Sequence, residues 1–160
     1  MNNSHFSPVK NPVPRYDGKG YATSQIDYGI MAPSLGLYSN MEDMMKFLAV
    51  NLGVRQSSID QAILNVQNPR LAINYPKKTD HSWTALGWIV GPSGEKEDVL
   101  LTWQQGKTGG YASYVGFCTK TGTGVVILSN SGSSVQKMGE KILREMIEAA
   151  ITPSQIRSAR

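Results

Sequence analysis

The chain has little of several things. Among its 160 residues there is one cysteine, Cys118. A single thiol closes no intrachain disulfide and builds no cysteine-based zinc site. No apolar run approaches the roughly 18 residues that a membrane span requires. The opening residues, Met-Asn-Asn-Ser-His-Phe, carry neither a basic n-region nor an apolar h-region, and read as no export signal. Charged residues make up only 18%, and they are not sorted by sign. Sixteen Lys and Arg against 12 Asp and Glu leave a formal charge of +4. The one adjacent basic pair is Lys77-Lys78, and elsewhere the signs alternate, as in Glu95-Lys96-Glu97. No basic stripe is interleaved with stacking aromatics, which argues against nucleic acid as a partner.

What is present is globular. Hydrophobic residues make up 40%, and a chain of this length buries roughly 68–70% of its unfolded surface. That is enough for one domain without staples.

Residues 1–34 read as an irregular lead-in, punctuated by Pro8, Pro12, Pro14, Pro33 and Asp17-Gly18. A helix then starts at Ser39-Asn40-Met41-Glu42, a capping-box pattern, with Met41, Met44, Met45, Leu48 and Leu52 at helical spacing and Gly53 after them. A second helix opens at Ser58-Ile59-Asp60-Gln61 and stops at Asn68-Pro69. After a loop from about 69 to 83 the period changes to two. Strands are expected at Leu86–Val90, Val99–Gln104, Tyr111–Cys118 and Gly124–Leu128, with turns at Gly91-Pro92-Ser93-Gly94 and Thr119-Lys120-Thr121-Gly122. A last helix begins near Ser133-Ser134-Val135-Gln136, again a capping-box pattern. It carries Val135, Met138, Ile142 and Met146 as its apolar stripe, and ends at Thr152-Pro153. The expected fold is α+β: two helices, an antiparallel meander of three to four strands, and a long C-terminal helix. One face of such a meander is thinly covered, and the apolar Val125–Leu128 strand is left at an open edge that invites pairing.

Most catalytic patterns fail. Gly106-Lys107-Thr108 looks like the end of a phosphate loop, but Leu101 stands where the pattern needs glycine, and a strand follows instead of a helix. No G-x-S-x-G elbow occurs. His5 and His81 have no metal-ligand spacing, so no metal or organic cofactor is expected.

One stretch is more specific. In Trp103-Gln104-Gln105-Gly106-Lys107-Thr108-Gly109-Gly110-Tyr111 a strand ends in a glycine-rich kink and a new strand opens on an aromatic. This segment resembles the third conserved box of the serine β-lactamase and penicillin-binding protein family, in its class C and esterase-like branch. Pro33 to Met44 looks like that branch's late helix start, Ala85-Leu86-Gly87-Trp88 like its next strand, and Tyr111–Phe117 and Gly124–Asn130 like its last two strands. The resemblance runs over about residues 20 to 150 and touches only the C-terminal part of the family's β-lactamase/transpeptidase-like fold. On it, residues 35–151 are the C-terminal part of such a domain and 152–160 a polar tail.

The resemblance implies site residues in one of two registers. Lys107-Thr108-Gly109 spells the box literally, but Gly110-Tyr111 then follows too soon. Anchoring on Gly110-Tyr111 places the box at Gln104-Gln105-Gly106, the register preferred here. The family's lysine charge is then lost at Gln104 while hydrogen bonding remains. That favours an esterase- or peptidase-like reading over a β-lactamase. The family's oxyanion-hole amide falls on Lys107 N–H.

The family's nucleophile is Ser-x-x-Lys at a helix start, where the lysine takes the serine proton. Three matches occur: Ser7-x-x-Lys10, Ser93-x-x-Lys96 and Ser134-x-x-Lys137. None has the right context: Ser7 adjoins Pro8, Ser93 is in a turn, and Ser134 follows the last strand. Tyr38-Ser39-Asn40 spells the family's Tyr-x-Asn box but sits at the helix start, where Ser39 already has a capping role. The expectation is therefore the C-terminal part of a serine hydrolase acting by acyl transfer on a lactam, amide or ester, inactive alone. The alternative is a non-catalytic remnant or interaction module that needs a partner to cover its sheet. A small acyl substrate, self-association or a complementing chain are the partners each implies. The family works outside the cytoplasm; the chain's own residues do not fix a location.

Overall fold

A computed structural model describes residues 3–6, 9, 11–73, 82–94 and 96–158; of Lys96, Glu97 and residues 152–158 it describes the backbone alone. A 3-10 turn, Gly29–Met31, leads into α1 (Ala32–Leu35), followed by α2 (Met41–Asn51) and α3 (Asp60–Gln67). Six strands come next: β1 (Leu71–Ile73), β2 (Ser82–Thr84), β3 (Ile89–Ser93), β4 (Lys96–Thr108), β5 (Tyr111–Cys118) and β6 (Thr123–Ser129). Helix α4 (Gln136–Ser158) closes the chain. The strands form one antiparallel meander in sequence order, β1 to β6. The α+β expectation holds, and the sheet is larger than expected.

Two helices on opposite faces build the core. Val99, Leu101 and Trp103 of β4 alternate toward α4 and pack with Tyr114, Leu143 and Ile147. Val115 and Phe117 of β5 point the other way, onto Leu48 and Trp88. The rings of Trp88 and Phe117 meet edge-on at 5.2 Å. β6 has β5 on one side and, among the described residues, no strand on the other. Its residues are half-buried for the most part.

The α2 boundaries follow local chemistry. Asn40 is the N-cap, its Oδ1 accepting from Asp43 N at 2.9 Å. The expected Ser39 box is not formed, because Ser39 Oγ pairs with Ser4 Oγ and Glu42 turns forward to Lys46. At the other end Gly53 has φ +72, with Gly53 N bonded to Val50 O and Val54 N to Ala49 O, both at 3.0 Å. That is a Schellman stop, which needs a residue tolerant of positive φ.

Several expected features are corrected. The span from 69 to 83 is not all loop, since β1 and part of β2 lie in it. Leu86 and Gly87 form a bend, with Gly87 at φ +80, so the next strand starts only at Ile89. Gly91-Pro92-Ser93 continues that strand through a bulge at Pro92/Ser93, and the turn begins at Gly94. β4 runs to Thr108, past the expected end at Gln104. Helix α4 carries on through Pro153 to Ser158 rather than stopping at Thr152-Pro153.

The faces of α2 and α4 also differ from expectation. Met41 and Met45 are exposed, while Met44, Phe47, Leu48 and Leu52 pack inward. In α4 the buried residues are Leu143 and Ile147, preceded by Val135, while Met138, Ile142 and Met146 form an exposed stripe. Gly139 decides the rotation: a Cβ there would lie 2.2 Å from Cδ1 of Tyr114, so the helix backbone rests directly on that ring. The α4 box is absent too. Ser134 Oγ accepts from Gln136 N at 3.3 Å, and Gln136 Nε2 donates forward to Glu140 Oε1 at 2.7 Å.

Candidate active site

β4 changes character halfway. Leu101, Thr102 and Trp103 are buried, whereas Gln104, Gln105, Gly106 and Lys107 are exposed. The cause is the length mismatch with β3, whose pairing ends at Ile89 opposite Trp103. β5 continues alongside, with Gln104 opposite Val115, Gly106 opposite Ser113 and Thr108 opposite Tyr111. From Gln104 onward, β4 is thus paired on one side only among the described residues.

The turn after it fixes which backbone groups face that open side. Gly109 (φ +48) and Gly110 (φ +89) join Thr108 to Tyr111 in a two-residue hairpin loop with both φ positive. In such a hairpin the flanking pair is hydrogen-bonded and the pairs then alternate. Gln105 and Lys107 therefore direct their N–H and C=O groups away from β5. The Gln105 amide is taken by its neighbour, donating to Gln104 Oε1 at 2.9 Å. Gln104 Nε2 in turn donates to Gly87 O at 3.0 Å. The Lys107 amide lies one strand step further along this edge.

The expected site residues therefore share one stretch of β4, Gln104 to Thr108, with Gly109 in the turn. The glycine-rich segment is not a kink that ends the strand. The Ser-x-x-Lys candidates fall elsewhere. Ser7 and Lys10 lie outside the described residues, as does His81. Ser93 is buried at the β3 bulge, opposite Lys96. Ser134 alone reaches the stretch, with Oγ 3.4 Å from Gln105 Oε1. Tyr38-Ser39-Asn40 is occupied structurally: the Tyr38 hydroxyl accepts from Gln25, Ser39 pairs with Ser4, and Asn40 caps α2. His5 stacks on the Tyr38 ring at 6.1 Å.

Part of the lead-in was missed as structure. The Thr23 hydroxyl donates to Gly109 O at 3.1 Å, and the Tyr111 hydroxyl donates to Val13 O. Arg15 is buried, with its guanidinium carbon 4.9 Å from the Tyr111 ring centroid. Residues 13–23 are thus wrapped against the β4–β5 turn, and no period in the sequence announces it. A separate cleft of about 470 Å³ lies between the α2–α3 pair and the sheet, lined by Leu52, Ile63, Leu64, Val90 and Leu100 among others, and does not include Gln104–Thr108.

Comparison with known proteins agrees with this architecture. Among solved structures the chain is similar to the octameric penicillin-binding protein homologue from Pyrococcus abyssi, at 23% identity and a TM-score of 0.75, covering 92% of this chain and 34% of that one. It is similar to a class C beta-lactamase from Rhodobacter sphaeroides at 16% identity and a TM-score of 0.68, covering 96% and 50%. A beta-lactamase/D-alanine carboxypeptidase from Pseudomonas syringae matches at 16% identity and a TM-score of 0.69, covering 89% and 48%. The chain thus spans between a third and a half of the length of these proteins. No protein of curated function matches it in sequence. The family model described as Beta-lactamase matches residues 1–149, and the chain belongs to that family.

Proposed function

We propose that this chain is the C-terminal portion of a serine hydrolase acting by acyl transfer, supplying the site-lining strand and an oxyanion amide. In this reading Gln104-Gln105-Gly106 is the third box and Lys107 N–H stabilises the tetrahedral oxyanion. The observation that carries it is the open half of β4: an exposed strand edge whose Lys107 amide is aimed away from β5, in a chain of this family. The two-glycine hairpin supports this register over Lys107-Thr108-Gly109, whose glycine falls in the turn itself. Gln104 lacks the cation of the family's lysine, which favours an ester or peptide-like substrate over a lactam.

The nucleophile comes from sequence beyond these residues. The full 160-residue chain is therefore expected neither to hydrolyse a chromogenic cephalosporin nor to take up a labelled penicillin. Covalent labelling of the chain alone that disappears in Ser134→Ala would overturn this. Mixing it with the polypeptide encoded immediately upstream is expected to create labelling on a Ser-x-x-Lys serine of that polypeptide.

A second reading, an interaction module without catalysis, is favoured by the exposed Met138, Ile142 and Met146 stripe together with the free edge of β6. It expects self-association or dye binding at exposed apolar surface. A compact monomer in sedimentation that binds no such dye would count against it.

A further inference from the structure

We propose that Arg15 is an anion-recognition residue of this site, and that the ligand lying along the open half of β4 bears a carboxylate at the end facing the β4–β5 turn. The proposal rests on the reading of β4 as the site-lining strand.

Arg15 is 7% exposed although Val13, Pro14 and Tyr16 around it are exposed. A buried guanidinium is ordinarily matched by a carboxylate, because its desolvation is otherwise uncompensated. Among the described residues Arg15 has no ion pair, and its side chain donates no hydrogen bond. What it has is the Tyr111 ring, 4.9 Å from the guanidinium carbon. That contact uses a flat face of the group. The N–H donors lie in the plane of the guanidinium and stay available to an acceptor at its edge.

The placement is built in. Thr23 N donates to Arg15 O at 3.0 Å, and Tyr16 N to Asn130 O at 2.9 Å, which tie the segment on both sides. A Cβ at Gly110 would lie 2.4 Å from Thr23 Oγ1 and 3.1 Å from Arg15 Cβ, so the turn and the Arg15 segment interlock. Tyr111 stands opposite Thr108. By strand alternation Thr108, Gly106 and Gln104 share its face of the sheet. Arg15 therefore stands over the face that carries Gln104, roughly 13 Å along the strand from it. One end of this face has a neutral glutamine and the other a cation without a counter-ion. A planar fork of donors matches a carboxylate in two-point geometry.

The test is a titration of the full chain followed by nuclear magnetic resonance, reading the Arg15 Nε–H signal and the Gly109 and Gly110 amides. N-acetylglycine is expected to shift these saturably, and its neutral analogue N-acetylglycinamide is not. In Arg15→Gln the shifts weaken by about tenfold or more. Arg15→Lys keeps the charge but loses the fork, and weakens binding by a smaller factor; it decides the matter if Arg15→Gln does not fold. Absence of saturable shifts, equal shifts with the amide, equal or tighter binding of inorganic phosphate, or indifference to both substitutions would each overturn the proposal. The readout is binding, so it separates from the hydrolase reading. If these shifts appear while the mixed polypeptides are never labelled, the hydrolase reading fails and the anion site stands.

Discussion

Gln104 bridges β4 to the bend before β3, its Nε2 donating to Gly87 O at 3.0 Å while its Oε1 accepts from the Gln105 amide at 2.9 Å. One side chain thus holds the bend where β3 has ended and occupies the first outward amide of the open edge. Gln104→Ala is expected to cost about 0.5–1 kcal/mol, the low end for an exposed hydrogen bond. Urea unfolding measures the loss, and hydrogen exchange should quicken at Gln105 first. Unchanged exchange there would mean the bridge is not formed in solution.

Gly139 is the closest approach of α4 to the sheet. Its missing Cβ is replaced by the Tyr114 ring. Gly139→Ala gains helix propensity of about 1 kcal/mol, yet overpacking a core contact costs typically 1–3 kcal/mol. The added methyl meets the middle of a rigid ring rather than a flexible tip, so net destabilisation is expected. Met138→Ala, one residue away on the exposed side, should change stability by less than about 0.5 kcal/mol. Denaturation midpoints of the pair check this.

Tyr114 is 1% exposed, and its hydroxyl has no partner. Burial, with the charge of Glu140 adding to it, holds the phenol's pKa well above the ordinary value of 10.0. The unfolded chain ionises this group near pH 10 while the folded chain does not. Its contribution to stability is complete below that pH and is lost as pH rises further. Tyr114→Phe removes both this loss and the unpartnered hydroxyl. It should match or exceed the parent by about 1 kcal/mol at neutral pH and fall less steeply above pH 10. Thermal unfolding at two pH values is the measurement.

Asp43 has no exposed surface, and it accepts from Asn3 N at 2.8 Å and Ser4 Oγ at 2.9 Å. Lys46 Nζ stands 3.6 Å away. Asp43→Ala leaves those donors unmatched, at a cost of about 1–3 kcal/mol, and should free residues 3–6 from α2. Limited proteolysis ought then to cut within the first ten residues before anything else. Uncut termini in a folded variant would show that other contacts suffice.

Much of the fold was legible in residue order. The α2 start and stop, the α3 helix and the β5–β6 hairpin follow from caps, a positive-φ glycine and alternating apolar residues, all of which act over a few positions. The three-residue strands β1 and β2 were not legible, because so short a run shows no period and gains its stability only from its neighbour. Met138, Ile142 and Met146 repeat at helical spacing as well as Leu143 and Ile147 do, and hydrophobicity alone does not choose between the two faces. A glycine, Gly139, made the choice by admitting Tyr114. At the candidate site the sequence pointed to the stretch from Gln104 to Gly109 and left two registers open. Its place on a half-paired strand depended on where β3 stopped.

The sequence by itself determined the class of fold, the helix stops and the glycine pair that turns β4 into β5, because each is a local backbone preference. Only the tertiary structure decided which face of α4 is buried, that β4 outruns β3 to leave an open edge, and that Arg15 and Tyr111, 96 positions apart in the sequence, meet beside it. Those are contacts between distant segments, and no local pattern encodes which surfaces come together.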